Sequence, residues 1–257
     1  GSRRIQDGCR ALCQDQRPVA HPAPGHRSPG GSSLSAVPNA IVIGGGVAGL
    51  TAGAELAECG VAVTVFERES ALGFHASGRS AAMFELGYGP APVQALTAAS
   101  EAAHVAANVL SPRGLLLVGH ASEAAAFHAD VVEMGLSEIS PGDACARVPI
   151  LNPEAVAFAA LSASASDIDT DQILQTAARR IRAAGGRIVT KSPVEAIFKN
   201  PAGWTVNAVG TTASADLLVN AAGAWADQVA TLAGVAPLGL QPKRRSMARL
   251  PAPGGHD

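Results

Sequence analysis

No apolar run in this 257-residue chain reaches the roughly 18 residues needed to span a bilayer, and no cleavable export signal is visible. Arg3 and Arg4 lack the apolar region that must follow a twin-arginine signal. A dense basic stripe is also missing. Lys and Arg number 19 against 21 Asp and Glu, for a formal net charge of −2, which argues against nucleic acid as a partner. The four cysteines, Cys9, Cys13, Cys59 and Cys145, show no zinc-like pairing and read as reduced thiols of a cytoplasmic protein. His104, His120 and His128 have no ligand partner at useful spacing, so no metal is expected. Aromatic residues are only 4% of the chain, a bias of composition that excludes no chemistry.

Hydrophobic residues, by contrast, make up 47% of the chain, enough for a large core in one domain or two interleaved ones. The most informative stretch is residues 40–56. Ala40, Ile41, Val42 and Ile43 read as a buried strand of a parallel sheet. Gly44, Gly46 and Gly49 follow in G-x-G-x-x-G spacing, after which the apolar residues take up a helical period. The first glycine permits the tight turn, the second close approach of backbone to a pyrophosphate, and the third close packing of helix on strand. The helix N-terminus adds free N–H groups and a positive dipole end. A second apolar run, residues 61–66, ends in Glu67, twenty-one residues beyond Gly46. A dinucleotide fold places its ribose-binding carboxylate there, which suits FAD or NAD alike, so an NAD-dependent dehydrogenase and a catalytically inert nucleotide-binding fragment both stay open at this point.

The rest of the chain arranges itself around this unit. Residues 1–38 hold five prolines and little apolar periodicity, and are expected to be a disordered or non-native tail. Residues 67–84 are rich in small and hydroxyl side chains, with Arg79 as the fixed cation beyond Arg68. A helix is expected over residues 94–110, with Ala95, Leu96, Ala99, Ala103 and Ala106 on its apolar face and Pro92 in its first turn. A strand over 115–118 and a helix over 121–134, ended by Gly135, come next. Asp169 or Thr170 caps a helix running to about residue 184, with Arg179, Arg180 and Arg182 at its C-terminal end. Strands over 187–190, 194–198 and 204–209 precede an apolar strand that runs into Ala221, Ala222 and Gly223, where a helix begins. Tiny residues at that crossing again allow a nucleotide to approach.

The runs Gly44–Gly49, Phe66-Glu67-Arg68 and residues 73–82, with the later Asn-Ala-Ala-Gly-Ala-Trp run at 220–225, resemble the FAD-dependent D-amino acid oxidase and glycine oxidase superfamily. Within it the likeness is greatest to the bacterial D-arginine dehydrogenases. The resemblance implies a Rossmann-like α/β FAD-binding domain over residues 39–87 and 150–235. It is expected to be interleaved with part of an α+β substrate domain over 88–149 and 236–257, with the C-terminal part of the enzyme expected to be missing. The cofactor contacts so implied are Gly44, Gly46, Ala48, Gly49, Glu67, Arg68, Ser77, Arg79, Ser80, Ala81, Ala82, Val194, Ala222, Gly223 and Trp225.

The implied reaction oxidises the CH–NH2 group of a D-amino acid or related amine to the imino acid by hydride transfer to flavin N5, with a quinone or oxygen as final electron acceptor. Arg245, in the run Gln241-Pro-Lys-Arg-Arg245, matches the arginine that holds the substrate carboxylate, a task suited to a planar, permanently charged fork. Tyr88 matches an active-site tyrosine. Two departures stand out. Met83 and Leu115 occupy positions where D-arginine dehydrogenases carry a histidine and a side-chain-recognising glutamate, so an apolar or small amine substrate is expected. Glu85, two residues beyond Met83, could place a carboxylate near the pocket by a different route, and it is not assigned as a base.

Overall fold

The computed structural model describes residues 37–244. The expectations for residues 1–36 and for Arg245 lie outside the described residues. The chain divides into two compact units: the first holds the residues up to Ser77 and Leu174–Gln241, the second Gly78–Ile173 with residues 242–244. In chain order come strand β1 (Asn39–Ile43), helix α1 (Val47–Glu58), β2 (Ala62–Phe66), β3 (Met83–Phe84), α2 (Ala91–Ala106), β4 (Leu110–Pro112) and β5 (Leu115–Gly119). Next are α3 (Ala124–Met134), β6 (Ser137–Ile139), α4 (Pro141–Arg147), β7 (Phe158–Ser162), β8 (Ser166–Ile168) and α5 (Thr170–Ala183). The last are β9 (Arg187–Val189), β10 (Val194–Asn200), β11 (Gly203–Ala208), β12 (Thr211–Ala215), β13 (Leu217–Asn220) and α6 (Ala226–Leu232).

The first unit is built on a parallel sheet in the order β13-β1-β2-β9. Its central strand is covered on both faces, which explains why it reads as an unbroken apolar run. Val42, Val63 and Val65 pack against Leu50, Ala54 and Ala57 of α1 and Leu174, Ala178 and Ile181 of α5. Ile41, Ile43 and Phe66 point the other way, onto Ile197 and Val206 of the antiparallel sheet β10-β11-β12 and Val229 of α6. Burial rather than propensity forms α1. Gly49 and Gly53 each cost a helix about 1 kcal/mol, whereas burying Leu50 alone returns about 2 kcal/mol. Arg180 of α5 reaches Glu55 and Glu58 of α1 at 2.6 and 2.7 Å, so this arginine ties two helices together instead of only complementing its own helix dipole.

Strand β12 has no counterpart in the sequence expectations. Its Thr-Thr-Ala-Ser-Ala run carries no large apolar residue, yet it pairs along β11 through a two-residue turn at Val209 and Gly210, the latter at φ +78°.

The second unit holds two three-stranded sheets, β3-β8-β4 and β5-β7-β6. Phe127 and Val131 of α3 pack with Leu136 and Ala160. Gly135 ends α3 in the left-handed region, and the Asp169 carboxylate accepts from the Gln172 N–H at 2.8 Å, as a helix cap does. Helix α2 departs from the expected orientation. It buries no residue, Leu96 is 70% exposed, and the half-buried positions are Gln94, Thr97, Ser100 and His104. Alanines gain little by burial, and the inward hydroxyls are already bonded: Thr97 donates to the Val93 carbonyl and Ser100 to the Leu96 carbonyl.

Candidate functional site

The crossover from β1 to α1 is shaped by contacts that only glycine tolerates. Gly44 has φ +114°, and a Cβ there would lie 2.3 Å from the Ala221 carbonyl oxygen. A Cβ on Gly49 would lie 1.9 Å from the Gly44 carbonyl oxygen, so the helix passes directly over the turn. Gly46 is the N-cap of α1 and has no capping side chain of its own. The Ser77 hydroxyl fills that role from outside the helix, accepting from the Val47 N–H at 3.0 Å.

Glu67 stands at the C-terminal end of β2 and is only 7% exposed. One carboxylate oxygen accepts from the Gly45 N–H at 2.7 Å and the other from the Glu69 N–H at 2.8 Å. The strand end and the glycine turn are thereby pinned to each other. Two of the four lone-pair positions remain for hydroxyl donors. Beside Glu67, Arg68 lies over the Trp225 ring at 5.0 Å, within cation–π range, and the His75 ring stands 4.5 Å from the same indole. His75 also meets Glu69 at 2.9 Å, and this hydrogen bond, with Arg68 beside it, holds the Glu69 carboxyl below the usual carboxylate range.

These groups surround a cavity of about 280 Å³. Of the residues expected at a cofactor, Gly44, Gly46, Glu67, Arg68, Ser77, Val194, Ala222, Gly223 and Trp225 line it. Ala48 and Gly49 shape the turn without lining the cavity. Arg79, Ser80, Ala81 and Ala82 belong to the second unit and do not line it. There the Ser80 hydroxyl accepts from the Ala82 N–H, and Ala82 sits at φ +54°. Tyr88, also in the second unit, is half exposed, and Arg245 lies outside the described residues.

The sequence reading missed His75, Ser192, Pro193 and Gln228, all on the cavity wall. His75 lay within the run of small residues already singled out. Ser192 had no motif to betray it, although its N–H donates to the Glu67 carbonyl at 2.9 Å. No three His, Cys, Asp or Glu side chains among the described residues are arranged to hold a metal ion. No helix among them is long and apolar enough to cross a membrane.

The fit to a dinucleotide rests on the cradle itself. It combines a turn whose glycines leave no room for a side chain, a helix N-terminus, a buried carboxylate with spare lone pairs, and the Trp225 ring on the cavity wall. The family model described as DAO, FAD dependent oxidoreductase, matches residues 39–257. Among solved structures, glycine oxidase from Geobacillus kaustophilus superposes with a TM-score of 0.67 at 22% identity, over 76% of this chain and 58% of that one. L-proline dehydrogenase from P. horikoshii gives 0.65 at 21%, over 77% and 56%. L-α-glycerophosphate oxidase from Mycoplasma pneumoniae, solved with FAD bound, gives 0.65 at 19%, over 76% and 56%. At these identities the likeness is one of fold, and the chain spans less than three fifths of each of these structures.

Proposed function

Because this chain belongs to the DAO family of FAD-dependent oxidoreductases, we propose that it serves the oxidation of the CH–NH2 group of an amino acid or amine, and more narrowly of a D-amino acid. The observation that carries the reading is the glycine crossover with the buried Glu67 carboxylate at its mouth. In this proposal the Gly44–Gly49 turn would hold the diphosphate of FAD, Glu67 would accept from the ribose hydroxyls, and Val194 and Trp225 would contribute to the adenine end. When bound, FAD supplies the acceptor for the hydride that leaves the substrate Cα.

The remaining roles fall to the protein. Arg245 would hold the substrate carboxylate in two parallel hydrogen bonds, and Tyr88 would shape the substrate pocket. The narrower substrate, a D-amino acid, is supported by the likeness of the 73–82 and 238–246 runs to D-arginine dehydrogenases. A quinone or oxygen would take the electrons onward.

The test is anaerobic. FAD-loaded protein is mixed with D-alanine, D-leucine, D-methionine or D-arginine, and separately with the L-enantiomers, while the visible flavin band and keto acid formation are followed. Bleaching with a D-enantiomer, accompanied by keto acid, is the expected result. Protein that holds FAD yet is bleached by none of these amino acids contradicts the proposal.

A further inference from the structure

Six hydroxyl, amide or ionisable side chains line the cavity at the glycine crossover: Glu67, Arg68, His75, Ser77, Ser192 and Gln228. Five of them are already engaged. Glu67 accepts from the Gly45 and Glu69 N–H groups, and Arg68 and His75 both meet the Glu69 carboxylate. The Ser77 hydroxyl accepts from the Val47 N–H, and the Ser192 hydroxyl donates to the Val209 carbonyl at 3.1 Å. Gln228 alone of the six makes no hydrogen bond to a described residue.

Its place in the fold gives that free amide a direction. Trp225, at the N-cap of α6, lines the cavity together with Gln228, Val229 and Leu232, the i, i+3, i+4 and i+7 positions of one helix face. Val229 belongs to the same apolar cluster as Val194 and Ile197 of β10, so this face stands beside the start of that strand, and Pro193 and Val194 continue the wall. An apolar slot with one uncommitted amide favours a flat base that carries a donor and an acceptor side by side. Adenine is such a base, because its N6 amino group donates and the ring nitrogens N1 and N7 on either side accept. A base that fills the slot displaces water from the amide, and an amide left unpaired there weakens binding.

We infer that Gln228 reads the adenine base of the cofactor, its side-chain oxygen accepting from the N6 amino group and its NH2 group donating to the adjacent ring nitrogen. The inference rests on the proposed FAD site and goes beyond it: the glycine turn and Glu67 serve the diphosphate and ribose of any dinucleotide, whereas Gln228 selects the base.

Calorimetric titration of the flavin-free chain tests it with two nucleotides, ADP and purine riboside 5′-diphosphate, which carries hydrogen in place of the N6 amino group. ADP is expected to bind about fivefold more tightly, the range of one neutral hydrogen bond. Gln228→Met, close in length but without the amide, should bind the two nucleotides equally and keep the parental thermal midpoint. Glu67→Gln should instead weaken both nucleotides and leave their ratio as in the parent, which separates reading of the base from grip on the sugar. Equal affinity of the parent for the two nucleotides, or a preference for ADP retained in Gln228→Met, would overturn the inference while ADP binding leaves the FAD site standing. Binding of neither nucleotide would overturn both.

Discussion

One methyl group added at Gly49 is the sharpest perturbation that the first crossover offers. Its Cβ would stand 1.9 Å from the Gly44 carbonyl oxygen and 3.1 Å from the carbonyl carbon, with the Ala221 Cβ at 3.3 Å. The nearest of these atoms are backbone, so the helix or the turn must shift by more than an ångström. Overpacking of this kind costs about 1–3 kcal/mol, with the upper end expected where nothing can rotate away. The helix gains at most about 1 kcal/mol from replacing glycine by alanine. A net loss of about 2 kcal/mol follows, which lowers the thermal midpoint of a chain this size by about 4–8 °C. Gly53→Ala is the matched control in the same helix. There the new methyl meets only the Ile181 Cδ1 at 3.1 Å and valine methyls at 3.5 Å, all ends of side chains that can adjust. Thermal unfolding by circular dichroism, with FAD retention after desalting, reads both variants. Gly49→Ala should lose stability and flavin together, while Gly53→Ala keeps both. A Gly49→Ala protein with the parental midpoint and parental flavin content would refute the close crossing.

Glu67→Gln leaves one backbone N–H, of Gly45 or Glu69, facing an amide that cannot accept, at a cost of about 1–3 kcal/mol; denaturant unfolding should show it, and FAD affinity should fall as well. Ser77→Ala removes the acceptor for the Val47 N–H and should lower stability by about 1 kcal/mol in the same assay. Arg180→Gln breaks a half-exposed pairing with Glu55 and Glu58 and should cost about 0.5–1 kcal/mol at neutral pH. Arg180 holds the Glu58 carboxyl below its ordinary pKa of 4.5, so the stabilisation is fully present above that value and is lost as pH falls through the lowered one. The stability gap between the parent and Arg180→Gln should therefore close in acid; a gap unchanged down to pH values where carboxylates are protonated would contradict the assignment.

The features legible in the sequence are those with a strong local signal. The strand, the three glycines and the carboxylate after the second strand each carry their own chemistry, and the β1–α1–β2 crossover follows from them. The caps at Asp169 and Gly135 were legible for the same reason. Strands β3, β4, β6 and β8 are two or three residues long, too short for any period to show. Strand β12 is made of small residues, Thr, Ala and Ser, and exists because β11 offers it a partner. The orientation of α2 was read from apolar count, but its alanines gain little and its hydroxyls bond to their own helix, so tertiary context turned the polar side inward. Ser192 and His75 came to the cavity by folding from runs with no fixed spacing to the glycines.

The most direct test is a fluorescence titration of FAD with the purified chain, repeated in the presence of ADP and of riboflavin. A site made of the Gly44–Gly49 turn and Glu67 recognises the adenosine diphosphate half, so binding should be saturable, displaced by ADP and indifferent to riboflavin. Absence of saturable binding, or displacement by riboflavin and not by ADP, would contradict the account.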